Sequence, residues 1–310
     1  MSRIVISENM DAPAVAALAR EFDVDYRPSL VDDPAGLAAA LGDADAWIVR
    51  NRTQVRGPAL AAASRLRAVG RLGVGLDNID LEVCAARGIE VIPASGANAE
   101  SVAEYVLAMA MILLRGAAYR STAAVVAGRW PRQMLSQGRE VSGKTMGLVG
   151  FGSIGRVTAR KAGAMGLHLI GHDPAVAADD RAWTEFGVAP RGLDELLSMA
   201  DIVSLHLPLA KSTQRLLGEE RIARMKPGAI LVNSARGGIV DEAALARALR
   251  AGRLAGAALD VFEEEPLAAG SVLADVPNLI LTPHIAGVTM ESNERVSGLV
   301  AERVAACLRL

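Results

Sequence analysis

Lys144-Thr145-Met146-Gly147-Leu148-Val149 runs straight into Gly150-Phe151-Gly152-Ser153-Ile154-Gly155, and Arg156 to Met165 follows as an Ala/Arg-rich stretch. The first segment reads as a short strand, the second as G-x-G-x-x-G, and Ile154–Met165 as a helix. In this setting Gly150 permits a tight turn, Gly152 lets backbone approach a pyrophosphate, and Gly155 lets helix and strand pack closely. The helix N-terminus then offers N–H groups and a positive dipole end to the phosphates. The next strand ends near Asp173, 18 residues beyond Gly155. A carboxylate there accepts from the ribose hydroxyls of adenosine and repels a 2′-phosphate. NAD rather than NADP is therefore the expected cofactor.

Outward from this loop, short apolar runs alternate with Ala/Leu-rich stretches. Strands are expected at Arg3–Ile6, Ala46–Val49, Leu66–Arg71 and Glu90–Ile92, with helices at 12–21, 58–64 and 81–86. Ser101–Leu114 reads as a long, mostly apolar helix, and Ser101 with Glu104 has capping-box spacing. After it, 116–142 holds Trp130-Pro131 and no pattern that places it. The second series has strands at Thr145–Val149, His168–Gly171, Ile202–His206, Ala229–Asn233, Ala257–Asp260 and Leu279–Thr282. Helices are expected at 154–165, 193–199 and 242–251. The alternation predicts an α/β chain of doubly wound parallel sheets, and six strands suit a dinucleotide-binding domain.

Composition narrows the classes. The chain has 310 residues, enough for about two domains at roughly 150 residues each. It carries 33 Lys plus Arg against 35 Asp plus Glu, a net −2 that gives no basic excess for nucleic acid. Cys84 and Cys307 match no disulfide framework or zinc pattern, so no metal is expected and a reducing cytoplasm suits the chain. Tyr105–Leu114, the longest run near the middle without a charge or Gly, falls far short of the roughly 20 residues that cross a bilayer. The N-terminus lacks the apolar core of a signal peptide.

Three polar groups fall at the ends of the later strands: Arg236 in NSARGG, a glutamate among Glu263, Glu264 and Glu265, and His284 in TPHIAG. Ligands bind at strand C-termini in open α/β sheets. An enzyme that oxidises a hydroxy acid needs an Arg fork for the carboxylate, a His to take the hydroxyl proton, and a Glu to orient that His. Chain pattern leaves the choice among the three glutamates open. His206 ends a strand on the cofactor side and is expected near the nicotinamide half; His168 and His172 read as structural.

GRLGVGLDNID (70–80), SVAEYVLAM (101–109), GLVGFGSIGR (147–156), HDP (172–174), LHLPL (205–209), MKPGAILVNSARGGIVDE (225–242), ALDVFEEEPL (258–267) and TPHIAGVT (282–289) together resemble the D-isomer-specific 2-hydroxyacid dehydrogenase family along essentially the whole chain. The resemblance implies two Rossmann-like domains with a cleft between them. The substrate domain would comprise 1–98 and 291–310, and the NAD domain 99–290. It implies that Arg236, Glu265 and His284 are catalytic, Glu265 because it precedes the proline. Cofactor contacts are implied at Gly150, Gly152, Ser153, Ile154, Gly155, Asp173, His206, Pro208, Thr213, Ser234, Ala235, Arg236, Asp260, His284 and Gly287. Val74 and Gly75, with Arg236 and His284, would bind substrate. A homodimer joined through the long helix and the arm after it is also implied.

Arg50-Asn51-Arg52-Thr53 follows a strand of the substrate domain, and R-x-R-T in phosphoglycerate-type members binds a distal anion. Arg50, Asn51 and Arg52 are therefore expected at the substrate, where two guanidinium groups suit a phosphate or sulfonate. Where relatives have Asn-Thr near the substrate, this chain has Asn98-Ala99. SLVDD (29–33), IVRNRTQV (48–55), GRWPRQ (128–133) and HIAGVTMESNERVS (284–297) resemble members that act on a sulfonate. The expected reaction is (S)-3-sulfolactate plus NAD to 3-sulfopyruvate plus NADH. The alternatives are D-3-phosphoglycerate oxidation, reduction of hydroxypyruvate or glyoxylate, and, in another class, a non-catalytic NAD-sensing corepressor.

Overall fold

The computed structural model describes residues 1–310, apart from the side chains of 117 and 120. The chain divides into two compact units, Met1–Asn98 with Val288–Leu310, and Ala99–Gly287. In the first unit β1 (Arg3–Ile6), β2 (Asp23–Tyr26), β3 (Ala46–Val49), β4 (Ala68–Arg71) and β5 (Glu90–Pro93) form a parallel sheet in the order β2-β1-β3-β4-β5. Helices α1 (Ala12–Ala19), α2 (Pro34–Leu41), α3 (Gly57–Ala62) and α4 (Leu81–Ala86) connect them. β3 is buried along its whole length, as a central parallel strand covered on both faces must be.

The second unit opens with α5 (Ala99–Leu114) and α6 (Thr122–Val126), then β6 (Thr145–Val149), α7 (Ser153–Ala164), β7 (His168–His172), α8 (Arg181–Glu185), β8 (Val188–Pro190), α9 (Leu193–Met199) and β9 (Ile202–Leu205). It continues with α10 (Glu219–Arg224), β10 (Ile230–Asn233), α11 (Glu242–Arg250), β11 (Gly256–Leu259) and β12 (Leu279–Leu281). Its seven strands are parallel, in the order β12-β11-β10-β9-β6-β7-β8. The chain therefore winds outward from β6 to one edge, then returns through β9 to the other. One core lies under α9 and α11, the other under α5 and α7. The last helix, α12 (Met290–Arg309), returns to the first unit, where Val296, Val300 and Val304 pack on its sheet.

Most expected strands and helices lie within a residue or two of their observed bounds. β2, β8, α2, α8 and α10 are additions, and both new strands are edges. Asp23-Val24-Asp25-Tyr26 is polar and half exposed, and Val188-Ala189-Pro190 carries a proline that an edge tolerates. The second sheet thus has seven strands where six were expected. The capping-box reading at Ser101 fails: α5 already begins at Ala99, so Ser101 is buried in its first turn and Glu104 instead pairs with Lys161 at 2.9 Å. The unplaced 116–142 holds a 3-10 turn at Gly116–Arg120 and the short α6. Among the described residues no helix is long and apolar enough to cross a membrane.

Candidate active site

The glycine loop sits where the second sheet reverses its strand order, between β6 and β9. Gly150 has φ 100°, and a Cβ there would lie 2.4 Å from the His206 carbonyl at the end of β9. A Cβ on Gly155 would lie 2.4 Å from the Gly150 carbonyl, so α7 starts hard against its own loop. Gly152, the N-cap of α7, has nothing within 4 Å of its Cβ position and opens the helix N-terminus, with Ser153 and Ile154 in the first turn. Phe151 anchors the loop, buried and stacked on Trp183 at 4.2 Å between ring centroids.

Asp173 follows β7 directly and helps build the loop. Its Oδ2 accepts from the Phe151 amide (2.7 Å) and its Oδ1 from the Ala175 amide (2.9 Å). His206 turns its ring inward: Nε2 is 3.1 Å from Ser204 Oγ, and burial pushes its pKa down to about 4, so it is neutral near pH 7. Thr213 Oγ1 donates to the Pro208 carbonyl (2.7 Å) and accepts from the Ala210 amide (2.8 Å), folding the loop after β9 back on itself. Ser234, just past β10, has a buried hydroxyl without a protein partner. An open Gly152 at a helix N-terminus and an orphaned hydroxyl beyond a neighbouring strand suit a bound dinucleotide.

Arg236, Glu265 and His284 all belong to this unit. Asn233 shapes the loop that carries the first: its Oδ1 accepts from the Ala235 amide (3.1 Å) and its Nδ2 donates to the Arg236 carbonyl (3.0 Å). A Cβ on Gly237 would fall 1.7 Å from the Phe262 carbonyl, so this position must be glycine for the loops after β10 and β11 to meet. Of the three glutamates, Glu265 is the one that reaches the histidine. Its Oε2 is 2.9 Å from His284 Nδ1, and its Oε1 accepts from the Phe262 amide (3.1 Å). Glu263 faces Arg215 (3.8 Å), while its amide donates to Glu242 Oε1 (2.7 Å). Burial pushes the Glu242 carboxyl pKa up.

His284 sits at φ 57°, a region costly for a side chain with a Cβ. Asp260, 1% exposed at the end of β11, offsets that cost. Its carbonyl accepts from the His284 amide (2.8 Å), Oδ1 from the Ile285 amide (2.8 Å) and Oδ2 from the Ala286 amide (2.8 Å). Gly287 closes the same segment.

The first unit has its own reversal point, between β1 and β3, and the arginine segment lies there. Glu8, 6% exposed beyond β1, accepts from the amides of Arg50 (2.8 Å), Thr53 (3.0 Å) and Arg52 (3.3 Å). Asn78 Nδ2 donates to the carbonyls of Thr53 (2.7 Å) and Arg50 (3.1 Å), so the loop is pinned from both sides. Arg50 is half-buried and donates to Asn293 Oδ1 of α12 at 2.5 Å; burial lowers its pKa. Arg52 is exposed and ion-paired with Asp32, and Asn51 is exposed. Val74 and Gly75 are half-buried in the turn after β4.

Glu8, Asn78, Tyr105, Thr282 and Asn293 escaped the sequence reading. Glu8 carried a signal, an acidic residue directly beyond an apolar strand. The others act through long-range hydrogen bonds that no local pattern encodes.

Residues 107–286 match the family model described as D-isomer specific 2-hydroxyacid dehydrogenase, NAD binding domain. The chain is 55% identical, over 98% of its length and 97% of the relative's, to a protein of Chromohalobacter salexigens named (S)-sulfolactate dehydrogenase. It is 41% identical over 97% of its length to a Mycobacterium leprae protein named D-3-phosphoglycerate dehydrogenase, of which it spans 56%. Among solved structures, D-lactate dehydrogenase from Aquifex aeolicus, complexed with NAD and lactic acid, superposes with TM-score 0.86 at 30% identity, covering 99% of this chain and 96% of that one.

Proposed function

This chain belongs to the D-isomer specific 2-hydroxyacid dehydrogenase family and is an NAD-dependent oxidoreductase; from that premise we propose that it oxidises (S)-3-sulfolactate to 3-sulfopyruvate. One observation carries the distal anion. Arg50 is a half-buried cation with no ion pair within 4 Å among the described residues; its hydrogen-bond partner is the neutral oxygen of Asn293. A half-buried guanidinium with no direct salt bridge, its charge offset only by the longer-range pull of Glu8, favours an anionic ligand. The likeness to a sulfolactate enzyme supports sulfonate over phosphate.

In this proposal Arg236 holds the substrate carboxylate and the oxygen on C2. Arg50 holds the sulfonate, with Asn51 and the ion-paired Arg52 as its flanking contacts, and the backbone at Val74 and Gly75 contributes further. His284 takes the C2 hydroxyl proton on Nε2, since its Nδ1 faces Glu265, and the C2 hydrogen departs as hydride while C2–O becomes a carbonyl. Glu265 fixes the ring and stabilises the imidazolium that forms. NAD, when bound, supplies the hydride acceptor. Gly150 to Gly155, Asp173, His206, Pro208, Thr213, Ser234, Ala235, Asp260 and Gly287 are the residues proposed to hold it.

The substrate domain would be 1–98 with 291–310, and the NAD domain 99–290. A homodimer is proposed through the segment after α5, where Val126, Trp130 and Met134 are 83%, 76% and 71% exposed. Two free thiols, Cys84 and Cys307, accord with a cytoplasmic location. The test is NADH formation from (S)-3-sulfolactate, D-3-phosphoglycerate, D-lactate and D-glycerate. The proposal expects the highest kcat/KM for sulfolactate; a higher value for phosphoglycerate overturns the substrate, and turnover of none of the four overturns the active-site reading.

A further inference from the structure

Behind the histidine loop runs a chain of hydroxyls that the reaction as drawn does not use. Tyr105, on the second turn of α5, places its hydroxyl 2.6 Å from Thr282 Oγ1, across 177 residues of sequence. Thr282 Oγ1 in turn donates to Asp260 Oδ1 at 2.6 Å. A threonine hydroxyl has one proton, and Asp260 receives it here, so Tyr105 must be the donor to Thr282. The direction is therefore fixed: Tyr105 to Thr282 to Asp260. Burial pushes the Tyr105 phenol up to about 12, which keeps that proton in place across the working range.

Asp260 is where this chain meets the catalytic loop. Its two carboxylate oxygens accept from the Ile285 and Ala286 amides, and its carbonyl from the His284 amide. These contacts enclose the left-handed turn at His284. The two amides hold one carboxylate oxygen each, and Thr282 adds a third donor, on the same Oδ1 that the Ile285 amide holds. Thr282 follows β12 directly, and the bond from Tyr105 determines which way its hydroxyl points.

We infer that Tyr105 and Thr282 are positioning residues that hold Asp260, and through it the His284 backbone, in the arrangement that keeps the imidazole on Glu265. Neither touches the reacting atoms. The inference rests on the reading of His284 as the acid/base. Hydrogen-bonded networks act as units, so the two hydroxyls should contribute as one device rather than as two.

The experiment compares Tyr105→Phe, Thr282→Val, Thr282→Ser, the double variant Tyr105→Phe/Thr282→Val, and His284→Asn. The assays are steady-state oxidation of (S)-3-sulfolactate (or D-3-phosphoglycerate, whichever the wild type turns over faster), NADH binding by fluorescence, and thermal unfolding. A neutral hydrogen bond of about 1 kcal/mol corresponds to roughly fivefold in rate. Tyr105→Phe and Thr282→Val are expected to lower kcat about five- to tenfold, with KM and NADH affinity within twofold of wild type. The double variant should be no slower than the worse single variant, and Thr282→Ser should restore kcat. Unchanged kcat in both single variants, multiplying losses in the double, or losses that track unfolding temperature and persist in Thr282→Ser would each overturn the inference. If His284→Asn keeps near-wild-type kcat, the reading beneath it fails instead.

Discussion

Glu265 and His284 face each other at 2.9 Å, Oε2 to Nδ1, while the other oxygen of Glu265 is occupied by the Phe262 amide. The carboxylate is therefore fixed at both ends, and Nε2 is the imidazole nitrogen left for the proposed proton transfer. Removing the ring should cost most. His284→Asn is expected to lower kcat about 10²–10⁴-fold, the range of general acid–base catalysis, with NADH binding retained. Glu265→Gln keeps shape but not charge, and should lose less than His284→Asn when hydride transfer is followed by stopped flow.

Arg50 and Arg52 are expected to behave unequally. The Arg50 guanidinium makes no salt bridge within 4 Å among the described residues, whereas Arg52 is exposed and paired with Asp32. Arg50→Gln should raise KM for the sulfonate substrate about tenfold or more, and Arg52→Gln less than threefold, because exposed pairs contribute only about 0–1 kcal/mol. KM for D-lactate, which has no distal anion, should move little in either variant.

The loop glycines separate stability from binding. Gly155→Ala would force a Cβ to 2.4 Å from the Gly150 carbonyl and should lower the unfolding temperature by several degrees. Gly152→Ala meets no protein atom, so its unfolding temperature should stay near wild type while NADH binding weakens. Calorimetry and fluorescence titration on the two variants check the contrast.

His206 predicts a pH dependence of stability. Its folded pKa of about 4 lies below the ordinary 6.5, so the unfolded chain binds more protons between these values. Stability should rise with pH across that window and be lost as pH falls from about 6.5 to 4, by up to about 3 kcal/mol. Urea unfolding at stepped pH measures the slope, and His206→Asn should flatten it.

Sequence reading was strong where local physics determines structure. Val149-Gly150-Phe151-Gly152 announces a turn by residue type alone, and runs such as Ile230-Leu231-Val232-Asn233 can only be interior strands. It weakened at edges: Asp23–Tyr26 and Val188–Pro190 owe their extended form to a neighbouring strand, not to their own composition. At the site, His284 and Arg236 stand out by position beyond a strand. The choice of Glu265 from EEEP needed the family likeness, because the contact that distinguishes it spans 19 residues. The two-sided pinning of the arginine loop by Glu8 and Asn78 lay beyond any local pattern.

That pinning bears on how such an enzyme changes over generations. The amides of Arg50, Arg52 and Thr53 converge as an anion-binding nest would, yet the chain's own Glu8 fills it. On the proposed function, discrimination between one acid and another then falls to side chains standing on a preassembled platform. On that reading, a lineage could exchange one substrate for another by a single replacement at Arg50 without rebuilding the backbone beneath it.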